Sequence, residues 1–320
     1  MTTSVCMGTY NGENYIEEQL YSILHQTKVP DEVIICDDCS NDGTVAVIEK
    51  FIAENHLENS WRLYQNQENK GYPANFYYAM SLCTMDVVFL SDQDDVWDVK
   101  KLERMCAVLD NQPKIKAVCC KFGLIDAQGQ NIQTIMAPTR NKGTGNLRTV
   151  TIEDVFYKCE WPGMVVAYRN GWYRSWREKR KQDMGMEADA FTTKIPHDFL
   201  ICARAAEENG FLQMDEELAY HRRHDNNAGG EEHRLRKLLN KQRKLKEIED
   251  YLRILGAFRN EVVLNTPEGE NALTEKYQAM RGRCEALQSG KLMNVIKMVL
   301  HNKKQVRIAT VICDILIVKQ

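Results

Sequence analysis

No apolar run in this 320-residue chain approaches the ~20 residues that a bilayer-spanning helix needs. The longest candidate, "IATVICDILIV" near the C-terminus, is too short and carries Asp314. No signal-peptide pattern precedes the strand-like "SVCMGTY", so a chain without a leader is expected. No internal repeat or low-complexity tract stands out. The eleven cysteines are an odd count, scattered over strand-like and helix-like segments, which suits a reducing compartment better than a disulfide framework. Cys36 and Cys39 form a lone CxxC with no second ligand pair and no helix start directly after it, so they read as core and turn cysteines, not as a zinc or redox pair. The N-terminal loop "GTYNGENY" holds no Lys or Arg, which a nucleotidyltransferase phosphate loop would bring.

The small formal charge of −3 hides an asymmetry. Residues 231–320 hold 18 Lys+Arg against 11 Asp+Glu, while residues 1–230 hold 24 against 34. An acidic front that offers the aromatics is a poor nucleic-acid surface, so no nucleic-acid partner is expected.

The front half alternates short apolar runs with helical periods. "SVCM", "EVIICD", "WRLYQ", "DVVFL" and "KAVCCKF" read as strands. Between them, Ile16, Leu20, Ile23 and Leu24 share one helical face, and Val45, Ile48 and Ile52 another. "YPANFYYAMSLC" and "VKKLERMCAVLDN" supply two more helices, the first tolerating Pro73 in its opening turn. This spacing implies βαβ units and a mainly parallel α/β sheet, with ligands beyond the carboxyl ends of the strands. After residue 125 the pattern loosens. "DAQGQNIQTIMAPTRNKGTGN" reads as a hairpin or loop, "MVVAY" as a strand, and "PHDFLICARAAEEN" as a helix opened by Pro196 and Asp198. "ELAYHRRHDNNAGG" reads as a strand running into a polar loop. Leu235, Leu238, Leu245 and Leu252 suggest a long helix after it.

Three unusual clusters stand at predicted strand ends. Asp92, Asp94 and Asp95 lie in one turn, and hard divalent cations commonly bridge one or two such carboxylates to substrate phosphates. The other reading is a solvated acidic turn, with Asp98 as a helix cap. Asp38 can accept from a pyrimidine N–H or simply shape the turn before a helix that Asp42 caps. Tyr10 and Asn11 end the first strand, where a tyrosine either stacks on a base or fills a rim. Asn69-Lys70-Gly71 allows a close backbone approach, with Lys70 countering phosphate or standing as a plain surface lysine.

In order, "TYNGENYIEEQLYSILHQT", "VIICDDCSNDGT", "NKGYPANF", "LSDQDDVW", "PHDFL" and "YHRRHDNNAGG" resemble the motifs of family 2 glycosyltransferases, most closely the bacterial rhamnosyltransferase-like members that build surface polysaccharide. The resemblance covers roughly residues 3–230. It implies a Rossmann-like glycosyltransferase-A domain over residues 1–230, with a nucleotide half (1–125) and an acceptor half (126–230), followed by a basic helical extension over 231–320. It implies Thr9, Tyr10, Asn11, Glu13, Asp38, Lys70, Gly71, Asn75 and Asp92 as contacts to the nucleotide sugar. Asp94 and Asp95, with His224, become the site of Mn²⁺ or Mg²⁺. Asp198, on spacing alone a helix cap behind His197, becomes the catalytic base. Trp161 and Gly163 fall on the acceptor side, Trp161 either stacking on a sugar or buried. Cys39 departs from the family's usual glycine.

The implied activity is inverting, metal-dependent sugar transfer from a dTDP- or UDP-sugar to a saccharide or lipid-linked acceptor in the cytoplasm. A scaffold that binds the nucleotide sugar without turnover is the competing class. Val295, Ile296, Val299, Leu300, Val306 and Ile308 in the basic tail suit either an anionic inner leaflet or packing on the catalytic domain or a second copy, as in a homodimer.

Overall fold

Strand β1 (Thr3–Thr9) buries Val5, Cys6 and Met7 completely, which explains why it reads as an unbroken apolar run. The chain then alternates as expected: α1 (Ile16–Leu24), β2 (Glu32–Asp37), α2 (Thr44–Glu54), β3 (Trp61–Gln65), α3 (Tyr72–Leu82) and β4 (Val87–Ser91). The rest of the sheet and its helices are β5 (Val96–Trp97), α4 (Lys101–Asn111), β6 (Ala117–Ile125), β7 (Leu147–Thr149), α5 (Ile152–Lys158), β8 (Val166–Arg169), α6 (Asn170–Met184), α7 (His197–Glu207) and β9 (Phe211–Arg222). The C-terminal helices are α8 (Lys241–Ala257), α9 (Pro267–Ser289), α10 (Leu292–His301) and α11 (Ile308–Val318). This computed structural model describes residues 1–132, 146–158, 160–184, 194–224, 239–262, 264–301 and 306–319. The calls on Leu235 and Leu238, on the loop after His224 and on most of the polar stretch after residue 132 lie outside them.

Two units divide the chain. The first spans residues 1–150 and 161–223 and carries the sheet, in the order β3-β2-β1-β4-β8-β6-β9-β5, with β7 on β9. β3, β2, β1 and β4 run parallel, β8 runs antiparallel between β4 and β6, and β6 pairs parallel with β9. From β1 the chain moves to β2 on one side and later returns to β4 on the other. The crevice beyond the carboxyl ends of β1 and β4 is therefore the place where such a sheet binds ligands. Two strands and half of a third escaped the sequence reading. β5 has two residues, β7 three, and the polar "QMDEE" inside β9 hides the strand's first half.

The second unit spans residues 151–160 and 224–320. Helix α5 belongs here: Phe156 meets the edge of Phe258, and Lys276 donates to the Tyr157 carbonyl. Thr266 caps α9 through the Gly269 N–H, Pro267 opens it, and Gly290 closes it in the left-handed conformation.

Cys39 holds φ +67°, in the left-handed region that favours glycine. That conformation costs a residue with a side chain roughly 1–2 kcal/mol, while glycine loses an extra ~0.5–1 kcal/mol of chain entropy. Cys39→Gly is therefore expected to raise stability by roughly 0.5–1 kcal/mol, seen as a higher urea midpoint. A lower midpoint would refute this account of the turn.

Candidate active site

The ends of β1 and β2 are tied by side chains that spend their polarity inward. Thr9 donates to Asp37, and Asp37 also takes the Ser40 N–H and hydroxyl. Asp38 is 3% exposed. Its Oδ1 accepts from Asn66 Nδ2 and the Lys70 N–H, its Oδ2 from the Gly71 N–H. The carboxylate that the resemblance assigns to a base thus holds the 70–71 backbone, where Gly71 stands at φ +80°. Asn75, 2% exposed, joins Asn66 to the Cys36 carbonyl. Glu13 receives the Gly43 N–H and Asn11 the Asn41 N–H, so both shape the loop ahead of α2. Tyr10 is exposed, and the Lys70 ammonium lies 4.9 Å above the Tyr78 ring.

At the end of β4, Gln93 reaches across to β1. Its Oε1 accepts the Tyr10 N–H at 2.8 Å, and its Nε2 donates to the Tyr10 carbonyl at 3.0 Å. Asp92 and Asp94 are half-buried, but Asp95 is fully enclosed. His221 Nδ1 and the Arg222 N–H both donate to Asp95 Oδ1, at 2.9 and 3.1 Å, while the buried Oδ2 has no partner among the described residues. Burial raises the Asp92 carboxyl well above the usual range, and the charges of Asp95, Asp94 and Asp198 push the same way. Arg222 closes the back: its Nε donates to the Asp94 carbonyl, its Nη1 to the Asp126 and Ala127 carbonyls, and its Nη2 to Glu18. Behind the turn, the enclosed Lys101 lies 3.5 Å above the Trp97 ring and donates to the Met164 carbonyl. Burial pushes its ammonium down to about 7, against the pull of Cys120, Asp95 and Asp92.

Asp198 enters on the first turn of α7, where a helix N-terminus favours a carboxylate, and its Oδ1 accepts the Phe199 N–H. The head of this helix is held by α3. Tyr77 donates to the Ile195 carbonyl, and His197 stacks on Phe76 with centroids 3.8 Å apart. A β-carbon on Gly163 would lie 3.0 Å from His197 Nε2 and 3.8 Å from Asp198 Cβ, so the bare backbone is what lets α7 close in. Burial lowers His197 to about 4, with Asp198 only partly offsetting it, so the ring is neutral.

The profile of glycosyl transferase family 2 matches residues 4–182, more than half of the chain. The chain belongs to that family. The dTDP-rhamnosyl transferase RfbG of Shigella flexneri is 26% identical over 229 residues, which are 70% of this chain and 73% of RfbG. EpsE of Bacillus subtilis is 35% identical over 115 residues, 36% of this chain, and the match spans only 41% of EpsE. The crystal structure of S. aureus TarS 1–349 in complex with UDP-GlcNAc superimposes with a TM-score of 0.55 at 19% identity, covering 100% of this chain and 90% of that one. At that identity the likeness speaks for the fold, which is the expected glycosyltransferase-A architecture.

Within this family frame, several sequence assignments change. Trp161 is 6% exposed and meets Phe211 edge-on, so it is a core residue and offers no sugar platform. Thr9 and Asn75 are likewise enclosed and committed to neighbouring groups. His224 opens the second unit, and the carboxylates of the first unit are described without it. The sequence reading left His221 and Arg222 as strand residues and passed over Gln93 and Lys101. Only "YHRR" placed beside a predicted strand end could have pointed to the first two. The donor set fits a hard divalent cation: three mutually repelling carboxylates, one with a bare buried oxygen. Among the described residues no three His, Cys, Asp or Glu side chains converge to cage an ion unaided. Outside ligands such as water or phosphate are then needed.

Burial alone would lower His221, but the Asp95 hydrogen bond and charge raise it above its ordinary value. Stability from this pair is therefore full below the unfolded histidine's pKa of about 6.5 and fades as pH rises through the raised folded value. His221→Gln, which keeps a donor but not the charge, should lower the urea midpoint at acid pH and converge on the parent at alkaline pH. An equal gap at both ends would rule out the ion pair.

Proposed function

We propose that this family 2 chain is an inverting, metal-dependent glycosyltransferase that moves a sugar from a nucleotide-diphosphate donor to a saccharide or lipid-linked saccharide acceptor in cell-surface polysaccharide synthesis. One observation carries the reading. A β-carbon at Gly163 would lie 3.6 Å from Leu90 Cβ of β4 and 3.8 Å from Asp198 Cβ, which sets a proton acceptor beside the strand that leads into the acidic cluster.

The acceptor hydroxyl oxygen forms its bond to the anomeric carbon on the face opposite the leaving group. The carbon–oxygen bond to the diphosphate breaks with its electron pair, and the hydroxyl proton passes to the Asp198 carboxylate. A single displacement of this kind inverts the anomeric centre. Asp94 and Asp95, with Asp92, would hold Mn²⁺ or Mg²⁺, which when bound supplies positive charge for the departing diphosphate. Neutral His197, the residue before Asp198, stacks on Phe76 and so anchors the head of α7. Tyr10 offers an exposed ring to the base, and the Lys70–Gly71 backbone borders the nucleoside.

The RfbG likeness favours rhamnose from dTDP as donor, and TarS keeps UDP-sugars as the second choice. The reaction is placed in the cytoplasm. A scaffold without turnover would have no use for Asp198 beside the carboxylates.

Asp198→Asn is expected to cut transfer by about 10²–10⁴-fold while leaving donor affinity with Mn²⁺ intact. Near-parental turnover would discard the base. Asp94→Ala should abolish the Mn²⁺-dependent part of donor binding by calorimetry, and unchanged affinity would remove the cation from the scheme. Thermal shifts across dTDP- and UDP-sugars identify the donor.

A further inference from the structure

Helices α10 and α11 end the second unit with faces that nothing among the described residues covers. On α10, Met293, Ile296 and Leu300 are exposed at spacings of three and four residues, which sets them in one stripe. On α11, Ile308, Ile312 and Leu316 do the same at spacings of four, with Ile308 81% exposed. The opposite faces are spent on packing: Val295 and Met298 on α10, Ile317 on α11.

One buried interaction fixes how α11 presents itself. Asp314, fully enclosed, accepts Arg283 Nε and Nη2 of α9 at 2.6 and 2.8 Å. The two-bond geometry locks the helix against rotation, so the apolar stripe cannot roll inward. It also removes from the surface the only acidic side chain in residues 290–320. Lys297 on α10, Lys291 just before it and Lys319 just after α11 remain exposed.

An apolar stripe flanked by lysines, with the Glu160 carboxylate at the start of α11 neutralised by Arg307, has a definite complement. A second copy would bring the same positive charge to the contact and be repelled. An anionic phospholipid surface attracts the lysines and takes the apolar side chains into its headgroup boundary. No helix among the described residues is long and apolar enough to cross a membrane, and eleven residues of α11 span roughly 16 Å, about half of a bilayer's hydrocarbon core. The contact therefore lies in the plane of the surface.

We propose that α10 and α11 dock the C-terminal unit in-plane on an anionic phospholipid bilayer. The inference is independent of the transfer chemistry and stands or falls without it.

The test uses the full chain and sedimenting vesicles, one set of phosphatidylcholine alone and one in which a third of the lipid is phosphatidylglycerol. Binding is expected to the anionic vesicles, at least about tenfold weaker to neutral ones and weakened by high salt. Ile308→Asp with Ile312→Asp should abolish it while the thermal unfolding midpoint holds. Lys297→Glu with Lys319→Glu, which leaves the apolar stripe intact, should weaken it several-fold. Equal binding to both vesicle types, or none to either, overturns the proposal. So does sedimentation velocity showing a dimer that Ile308→Asp with Ile312→Asp turns into a monomer, since a second copy would then cover the face.

Discussion

The site is organised by one enclosed carboxylate and the strand end that holds it. Leaving a buried carboxylate without partners costs far more than a fold can absorb, so Asp95 can exist at the end of β4 only because β9 finishes beside it. The His221 ring and the Arg222 amide both arrive there, and the Arg222 guanidinium goes on to fasten the Asp94 carbonyl, α1 and the turn after β6. This arrival depends on sheet register. Cys119 of β6 pairs with Gln213, yet Phe122 pairs with Ala219, so β9 carries three extra residues through the irregularity. An odd shift exchanges the two faces of a strand. A regular ladder would have sent His221 and Arg222 to other positions.

Charge around the turn is distributed asymmetrically. The cations sit behind or beside the carboxylates: Lys101 against Trp97, Arg222 along the strand ends, His221 on Asp95. Asp92 and Asp94 remain half-buried on the accessible side. Protein groups compensate the inner part of the cluster, where His221 and the Arg222 amide meet Asp95. A turn that was merely solvated would have no reason to enclose a lysine whose ammonium burial has already weakened.

The strands flanking this turn were legible because both of their faces are covered, so "EVIICD" and "DVVFL" read as apolar runs, and the helices between them showed their buried stripes. The acidic turn itself was visible as composition. Its wiring was not. His221 looked like an ordinary strand histidine because its partner lies 126 positions away in sequence. Gln93 looked like a spacer within "DQDD", and Asp38 like a free acceptor, since the amides of residues 70 and 71 that occupy it sit on a separate loop. β9 was half missed because its middle carries Asp215, Glu216 and Glu217, two of which pair with Lys121 and Arg104 and so stay polar inside a strand.

The amide of Gln93 bears on what the crevice can admit. With one atom accepting from Tyr10 and another donating to it, the side chain works as a fixed-length strut between the first and fourth strands. An asparagine would fall one methylene short, and a glutamate would set an oxygen against the tyrosine's carbonyl. The separation between the loop after β1 and the acidic loop after β4 is thereby dictated by a single side chain, which sets the width of the crevice mouth between them.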